Sequence, residues 1–284
     1  MFFAHVRPEL IELEILFNLL VADIGVTPKL LDTLFDDGRF FLIFEYYDHL
    51  SLKDMFSHFA IQNVLSYSFH FARCLSELHQ RGIIHRDVKP SNFLFAGKEK
   101  GGMLIDLGLC ELSDKYCKRK IIGKTAERIL QLQAKLGIHK FGTEGYMPPE
   151  VVLAVDEQGP SVDIWALGVC TLQLLLKKQY IFCQMNLVVY DKNTLKLKKV
   201  DNPVALLLMQ LANMYDPIEI KKICGSLGYF ISFPDGISTN IDALKHQLKY
   251  QNIEDNVFKI VLQMLNLHPD KRPSATEVME SFKI

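Results

Sequence analysis

The sequence predicts an α+β fold of two unequal lobes, a small β-bearing lobe followed by a larger, mainly helical one. Three observations predict it. Residues 1–47 read as a helix and then a β-hairpin, short strand runs continue as far as Gly108, and from Ser161 onward the chain is mostly helical in pattern. A chain of 284 residues with 49% hydrophobic content can bury a core of this size, as one large domain or two lobes.

Taken in order, the opening stretch MFFAHVRPELIELEILFNLL has Pro8 where a first helical turn tolerates it. Ile11, Leu13, Ile15, Leu16, Leu19 and Leu20 give the helix a broad apolar face with acids beside it. LLDTLFDDGRFFLIFEYY reads as two strands joined at Asp36-Asp37-Gly38, where glycine supplies the positive φ of a tight turn. SLKDMFSHF is a short helix, and NVLSYSFHFARCLSELHQRG a long amphipathic one ending at Gly82. IIHRD, NFLF and GGMLIDLG are brief β runs, with a hairpin signal at Lys98 to Gly102. Cys110 to Gly142 is polar and carries Lys115, Lys118, Arg119, Lys120, Lys124 and Arg128 against few acids, which predicts a binding loop or a solvated one. SVDIWALGVCTLQLLL is a helix largely apolar after its start, followed by weaker helices near 202–228 and 253–267 and a last one from Ser274.

Composition excludes several classes of function. A net charge of −1 gives no global basic field for nucleic acid or an anionic membrane. His5, Arg7, Glu9, Glu12 and Glu14 break the apolar start, so it has neither a secretory layout nor a bilayer-length span, and the apolar run from Ile164 to Leu176 is too short for one. Six scattered cysteines without C-x-x-C spacing fit a reduced chain without a zinc site.

The chemistry concentrates in HRDVKPSNF, His85 to Phe93, and in IDLG, Ile105 to Gly108. An aspartate between strands can accept a proton from a hydroxyl, and a lysine two residues on can meet a phosphate. An asparagine five residues after that aspartate, with a second aspartate on the next strand pair, can hold Mg²⁺ against phosphate oxygens.

In this order the residues resemble eukaryotic protein kinases, which implies a bilobed kinase-like fold with a truncated β-rich N-lobe (1–47) and a mainly helical C-lobe (48–284). His85 to Asn92 resembles the catalytic loop, Asp106-Leu107-Gly108 the metal-binding Asp-Phe-Gly, and Gly142 to Glu150 the end of an activation segment covering 106–150, with Pro148 in place of an alanine. Asp163 to Gly168 resembles the buried helix that organises the catalytic loop, and Arg272 the partner of Glu150. The resemblance implies ATP and Mg²⁺ as cofactors, with Asp87 orienting or deprotonating the acceptor hydroxyl and Lys89 neutralising the transferred phosphoryl. It also implies that Asn92 and Asp106 hold the metal, that Thr143 places Lys89 and Asp87, and that Phe44, Glu45, Tyr46 and Tyr47 form the lobe link that bonds adenine. Lys-Pro-x-Asn after Asp87 resembles the serine/threonine enzymes.

A narrower likeness, carried by FEYYDHLSLKDMF, IIHRDVKPSNFLFAGKEKGGMLIDLGLCEL and DNPVALLLMQLANMYDPIEIKKICGSLGY, is to the replication-initiation kinases named for cell division control protein 7. That likeness implies a nuclear cell-cycle kinase that needs an activating subunit and phosphorylates the replicative helicase, with no direct contact to nucleic acid or membrane. Met147 stands where an arginine is expected, so an acidic-flank preference would have to come from the basic stretch. The glycine-rich loop has no room before the first helix. Aligning FFAHVRPELIELEIL with the family sets Glu12 at the helix glutamate, with Glu14 as the fallback, and Ala4 near the strand lysine; nothing in the spacing favours Arg7 or Lys29 as a replacement. Two alternatives stay open: a pseudokinase, and a scaffold that uses Tyr180 to Tyr229 for interaction.

Overall fold

The computed structural model describes residues 2–3, 7–117, 123–136, 142–153, 158–178, 181, 188–191, 196–199, 216–226 and 255–283. The two-lobed α+β class holds. The first lobe consists of β1 (Phe2–Phe3), helix α1 (Pro8–Leu20) and the hairpin of β2 (Leu30–Asp36) and β3 (Arg39–Phe44), joined in an antiparallel sheet of order β1-β3-β2. The hairpin turns at Asp37 and Gly38, both at positive φ (46° and 70°), the paired left-handed geometry of a two-residue turn. The register sets Phe35 opposite Phe40 and Asp36 opposite Arg39, and Leu31, Leu34 and Phe35 remain exposed.

Helix α1 buries Ile11, Leu13, Glu14, Phe17 and Asn18. The apolar face expected from sequence is thus partly wrong: Leu19 is 57% exposed, Ile15 and Leu16 are half-buried, and two polar residues take the inner positions. Residues 14 and 18 are one turn apart on the same side, and the surface they meet carries Asp106.

The second lobe is organised by two long helices. Helix α2 (Leu52–His58) is capped by Ser51, whose hydroxyl accepts from the Asp54 amide at 3.1 Å, and it leads into α3 (Ile61–Gln80). Tyr67 and Phe71 of α3 meet β5 (Phe93–Phe95), with Phe71 stacked on Phe93 at 4.2 Å and Tyr67 edge-on to Phe93 and Phe95. The partner strand β6 (Gly102–Leu104) opens on a glycine for lack of space: a Cβ there would lie 2.3 Å from the Phe93 ring. Strand β4 (Arg81–Ile84) pairs with β7 (Glu111–Cys117), and helix α4 (Lys124–Leu136) follows. The expected polar loop is therefore a strand and a helix in its described part, because Ala126, Ile129 and Leu132 form a buried stripe between the charged positions; Lys118, Arg119 and Lys120 lie outside the described residues.

Short α5 (Pro149–Val152) precedes α6 (Ser161–Leu176), in which every residue after Ser161 is buried. Two hydroxyls, Ser68 of α3 and Thr171 of α6, share a hydrogen bond of 2.9 Å inside the lobe. Beyond α6 lie the hairpin of β8 (Val188–Asp191) and β9 (Lys196–Lys199), then α7 (Pro217–Ser226), α8 (Asp255–Met264) and α9 (Ala275–Ser281), the last closed by a Ser274/Glu277 capping box. Residues 202–215 and 227–228 of the expected helix 202–228, and most of the Tyr180 to Tyr229 stretch, lie outside the described residues. Among the described residues, no helix is long and apolar enough to cross a membrane.

Candidate active site

The site begins at a buried acid. Asp163 sits in the first turn of α6 and is 1% exposed. One carboxylate oxygen accepts from the His85 amide at 2.8 Å and from His79 Nε2 at 2.8 Å, and the other accepts from the Arg86 amide at 2.8 Å. Burial alone would push this carboxyl up, but the His79 hydrogen bond and charge and the donors of the loop outweigh it, and its pKa is lowered. Asp163 thereby anchors the turn from β4 into the loop, where Arg86 adopts φ 64°. The Asp87 amide donates to His85 Nδ1 at 3.3 Å, so the ring proton sits on Nε2, 3.2 Å from the Ile105 carbonyl. Arg86 donates to the Leu109 carbonyl at 2.8 Å and to Glu111 Oε2 at 2.7 Å, tying the loop to the start of β7.

Three of the residues expected from sequence converge around Asp87, itself buried. Lys89 Nζ donates to Asp87 Oδ2 at 2.6 Å and to Thr143 Oγ1 at 2.9 Å, and Thr143 Oγ1 donates to Asp87 Oδ1 at 2.7 Å. Asn92 Nδ2 donates to the Asp87 carbonyl and to Asp87 Oδ2, both at 3.0 Å. Gly142 lets Thr143 approach: it has φ 117°, and a Cβ there would be 3.0 Å from the Arg86 carbonyl. The chain after Thr143 is tied down at Glu150 by Arg272, which donates to both of its oxygens at 2.5 and 2.9 Å and to the Ser161 carbonyl at 3.0 Å, and lies 5.0 Å over the Trp165 ring.

Beside this cluster a cavity of about 430 Å³ opens between the lobes. Phe44, Glu45, Tyr46 and Tyr47 form one wall, with Leu42, Leu94, Leu104 and Ile105 supplying apolar surface and Asp106 and Asn18 the polar end. Asp106 is held at φ 66°, and the adjoining Ile105 amide donates to the Asn92 carbonyl at 3.0 Å, which links the cavity to the Asp87 cluster. The donor chemistry suits Mg²⁺: Asp106 offers a carboxylate, and because Asn92 spends its amide N–H groups on Asp87, its amide oxygen remains as an acceptor.

Glu12 requires correction. It does not reach this cavity: it is partly exposed and accepts from Arg128 Nε and Nη2 of α4 at 2.6 and 2.9 Å, a hydrogen bond that holds its carboxyl below the usual range. The residue facing Asp106 is Glu14, two positions on and 1% exposed. Residues two apart on a helix point about 200° apart, so only one of them can face Asp106. Asn18 Nδ2 donates to the Glu14 carbonyl at 2.8 Å and to Oε1 at 3.2 Å, whereas Oε2 has no hydrogen-bond partner among the described residues. Burial first, then the charge of Asp106, pushes the Glu14 carboxyl up to about 7, with the Leu107 amide and Asn18 only partly offsetting them. Ala4 lies outside the described residues, and Arg7 and Lys29 are exposed.

Sequence reasoning missed Asn18 and Glu111 as site residues. The available signal was spacing, since Asn18 falls one helical turn after Glu14.

Comparison with known proteins gives one family model, described as the protein kinase domain, matching residues 11–282. The cell cycle serine/threonine-protein kinase hsk1 of Schizosaccharomyces pombe is 30% identical over 190 residues, 60% of this chain and 37% of that protein. A probable cell division control protein 7 homolog of Encephalitozoon cuniculi is 27% identical over 159 residues, covering 49% of this chain and 45% of the relative. The serine/threonine-protein kinase crk1 of Schizosaccharomyces pombe is 23% identical over 255 residues, 89% of this chain and 65% of its own length. The chain thus spans less than half the length of the first two of these relatives.

Proposed function

Because the chain belongs to the protein kinase domain family, we propose that it transfers the terminal phosphoryl group of ATP to serine or threonine hydroxyls of protein substrates. The observation that carries this reading is the cluster of Asp87, Lys89, Asn92 and Thr143 lying directly beside the cavity that ends in Asp106. Asp87 accepts the proton of the incoming hydroxyl, with Thr143 and Asn92 fixing the carboxylate so that little reorganisation remains at the moment of reaction. Lys89, bonded to both Asp87 and Thr143, keeps a positive charge next to the transferred group. Adenine would lie against Leu42, Leu94 and Leu104, with the backbone of Glu45 to Tyr47 supplying its hydrogen bonds. Asn92 and Asp106 would hold Mg²⁺, which when bound neutralises charge on the phosphate oxygens.

Likeness to hsk1 and to the cell division control protein 7 homologs supports a finer reading: a nuclear cell-cycle kinase acting at DNA replication initiation on the replicative helicase, with an activating subunit. Cell-cycle roles named for these relatives are the support for it.

The test is phosphoryl transfer from Mg·ATP to serine, threonine and tyrosine peptides, with Asp87→Asn as control. Transfer to serine or threonine, lost in the variant and absent for tyrosine, is the expected result. Tight Mg·ATP binding without any Asp87-dependent transfer would instead mark a pseudokinase, a reading motivated by Ala4 at the position expected for the strand lysine and by the missing glycine-rich loop.

A further inference from the structure

Helix α4 lies in the segment between Asp106 and Thr143, yet it packs against α1 in the other lobe. Two ion pairs join the helices. Arg128 donates to both oxygens of Glu12, and Lys135 Nζ donates to Glu9 Oε1 at 2.7 Å. Between them Ile129 and Leu132 enter the same core as Leu13 and Phe17 of α1. At its other side α4 is fixed to the catalytic loop: Gln133 Oε1 accepts from the Leu112 amide of β7 at 3.3 Å, and the adjacent Glu111 pairs with Arg86. A continuous set of contacts therefore runs from α1 through α4 and β7 to the residue before Asp87.

The angular relation on α1 gives this a consequence. Glu12 and Glu14 project about 200° apart, so holding Glu12 outward sets the rotation of the helix that turns Glu14 inward. Glu14 has reason to leave: it is buried beside Asp106, and one of its oxygens is unpartnered. A helix with an unfavourable inner residue rolls or shifts outward unless its outer face is fastened.

We propose that α4 is a built-in brace for α1, with Arg128 as the positioning residue that acts through Glu12, and Lys135–Glu9 as a second tie, to keep Glu14 against Asp106 beside the cavity. The proposal rests on the nucleotide reading of that cavity for its functional part, and on the two helices alone for its structural part. A bidentate arginine pair is directional enough to fix a roll angle, which a lone lysine contact is not.

The experiment uses the whole chain with Arg128→Glu, Glu12→Arg and the pair of changes together. Two quantities are measured: amide hydrogen exchange in peptides covering Pro8–Leu20, and the dissociation constant for Mg·ATP. Each single reversal sets like charges face to face and is expected to speed exchange in α1 at least threefold and to weaken Mg·ATP binding at least threefold. The double reversal restores the pairing and is expected to return both to within twofold of the parent. Singles that leave α1 exchange unchanged, or a double that fails to rescue it, would overturn the brace. Rescued exchange with an affinity that never moved would overturn the positioning role. Should the parent not bind Mg·ATP at all, the nucleotide reading fails, and the α1 exchange data still decide whether α4 is a brace.

Discussion

Two buried carboxylates, each 1% exposed, behave in opposite ways. Asp163 receives three donors, from His79 and from the His85 and Arg86 amides, and its pKa falls despite complete burial. Glu14 receives one side-chain donor, Asn18, so burial, and after it the charge of neighbouring Asp106, raises its pKa. The difference separates the two sides of the site. The acceptor side, from Asp163 through Asp87 to Thr143, meets its polar requirements from within the second lobe. The side proposed to take the nucleotide carries an acid whose second oxygen is unpartnered among the described residues, and on that side a cation adds most.

Removing Asp163 breaks the better-satisfied half and has the largest expected effect. Asp163→Ala strands two backbone amides and His79 in the interior, at about 1–3 kcal/mol for each lost partner, so urea denaturation should show a loss of about 4 kcal/mol or more. Asp87→Asn, in the same half, should separate chemistry from folding. It keeps the shape of the site but removes the carboxylate that we propose accepts the proton, and turnover on a serine peptide should fall at least ~10²-fold, the usual scale of a positioned base. The melting temperature is expected to stay within a few degrees.

Glu14→Gln sharpens the contrast through pH. Its ordinary value is 4.5 and its folded value about 7, so the folded state is the better proton binder. Stability from this group is fully present below pH 4.5, falls as pH rises through 7, and then stays low. The shift corresponds to about 3 kcal/mol across that window. In the Gln variant this loss should vanish, so variant and parent converge in acid and the variant is the more stable at pH 8, as read by denaturation at a series of pH values. Asp163 has the reverse sign: its contribution is present above 3.8 and lost as pH falls below it. A Gln variant that weakened the protein equally at all pH values would refute the account of Glu14.

The same contrast explains what could be read from the sequence. Asp87, Lys89, Asn92 and Asp106 were legible because they crowd into 20 consecutive positions whose chemistry fits one reaction, and Glu150 with Arg272 because each belongs to a short distinctive motif. Helix α1 was legible as a helix, yet not in its facing: apolar periodicity assigns Glu14 and Asn18 to solvent, and only the packing against Asp106 turns them inward. Taking Glu12 as the inner acid was a two-residue error of alignment, and in a helix two residues reverse the face. Helix α4 was hidden for a related reason. Its charges dominate the composition, whereas Ala126, Ile129 and Leu132 acquire meaning only when α1 is there to cover them.

The smallest expected effect asks whether geometry alone could account for the difference between the two halves. Arg81 and Asp23 form a bidentate pair at 2.7 and 2.8 Å, as good in geometry as Arg272 with Glu150. Their surroundings differ: side-chain exposure is 18% and 69% for the first pair, but 0% and 5% for the second. Water competes for Asp23 whether or not Arg81 is present, so Asp23→Asn should cost about 0.2–1 kcal/mol and lose even that in 1 M salt. Glu150→Gln leaves Arg272 charged, over the Trp165 ring and without its counter-ion, and should cost about 3–5 kcal/mol with little dependence on salt. Equal losses from the two substitutions in urea denaturation would mean that hydrogen-bond geometry, and not burial of the charge, sets the worth of these pairs, and the contrast drawn from Asp163 and Glu14 would lose its physical basis.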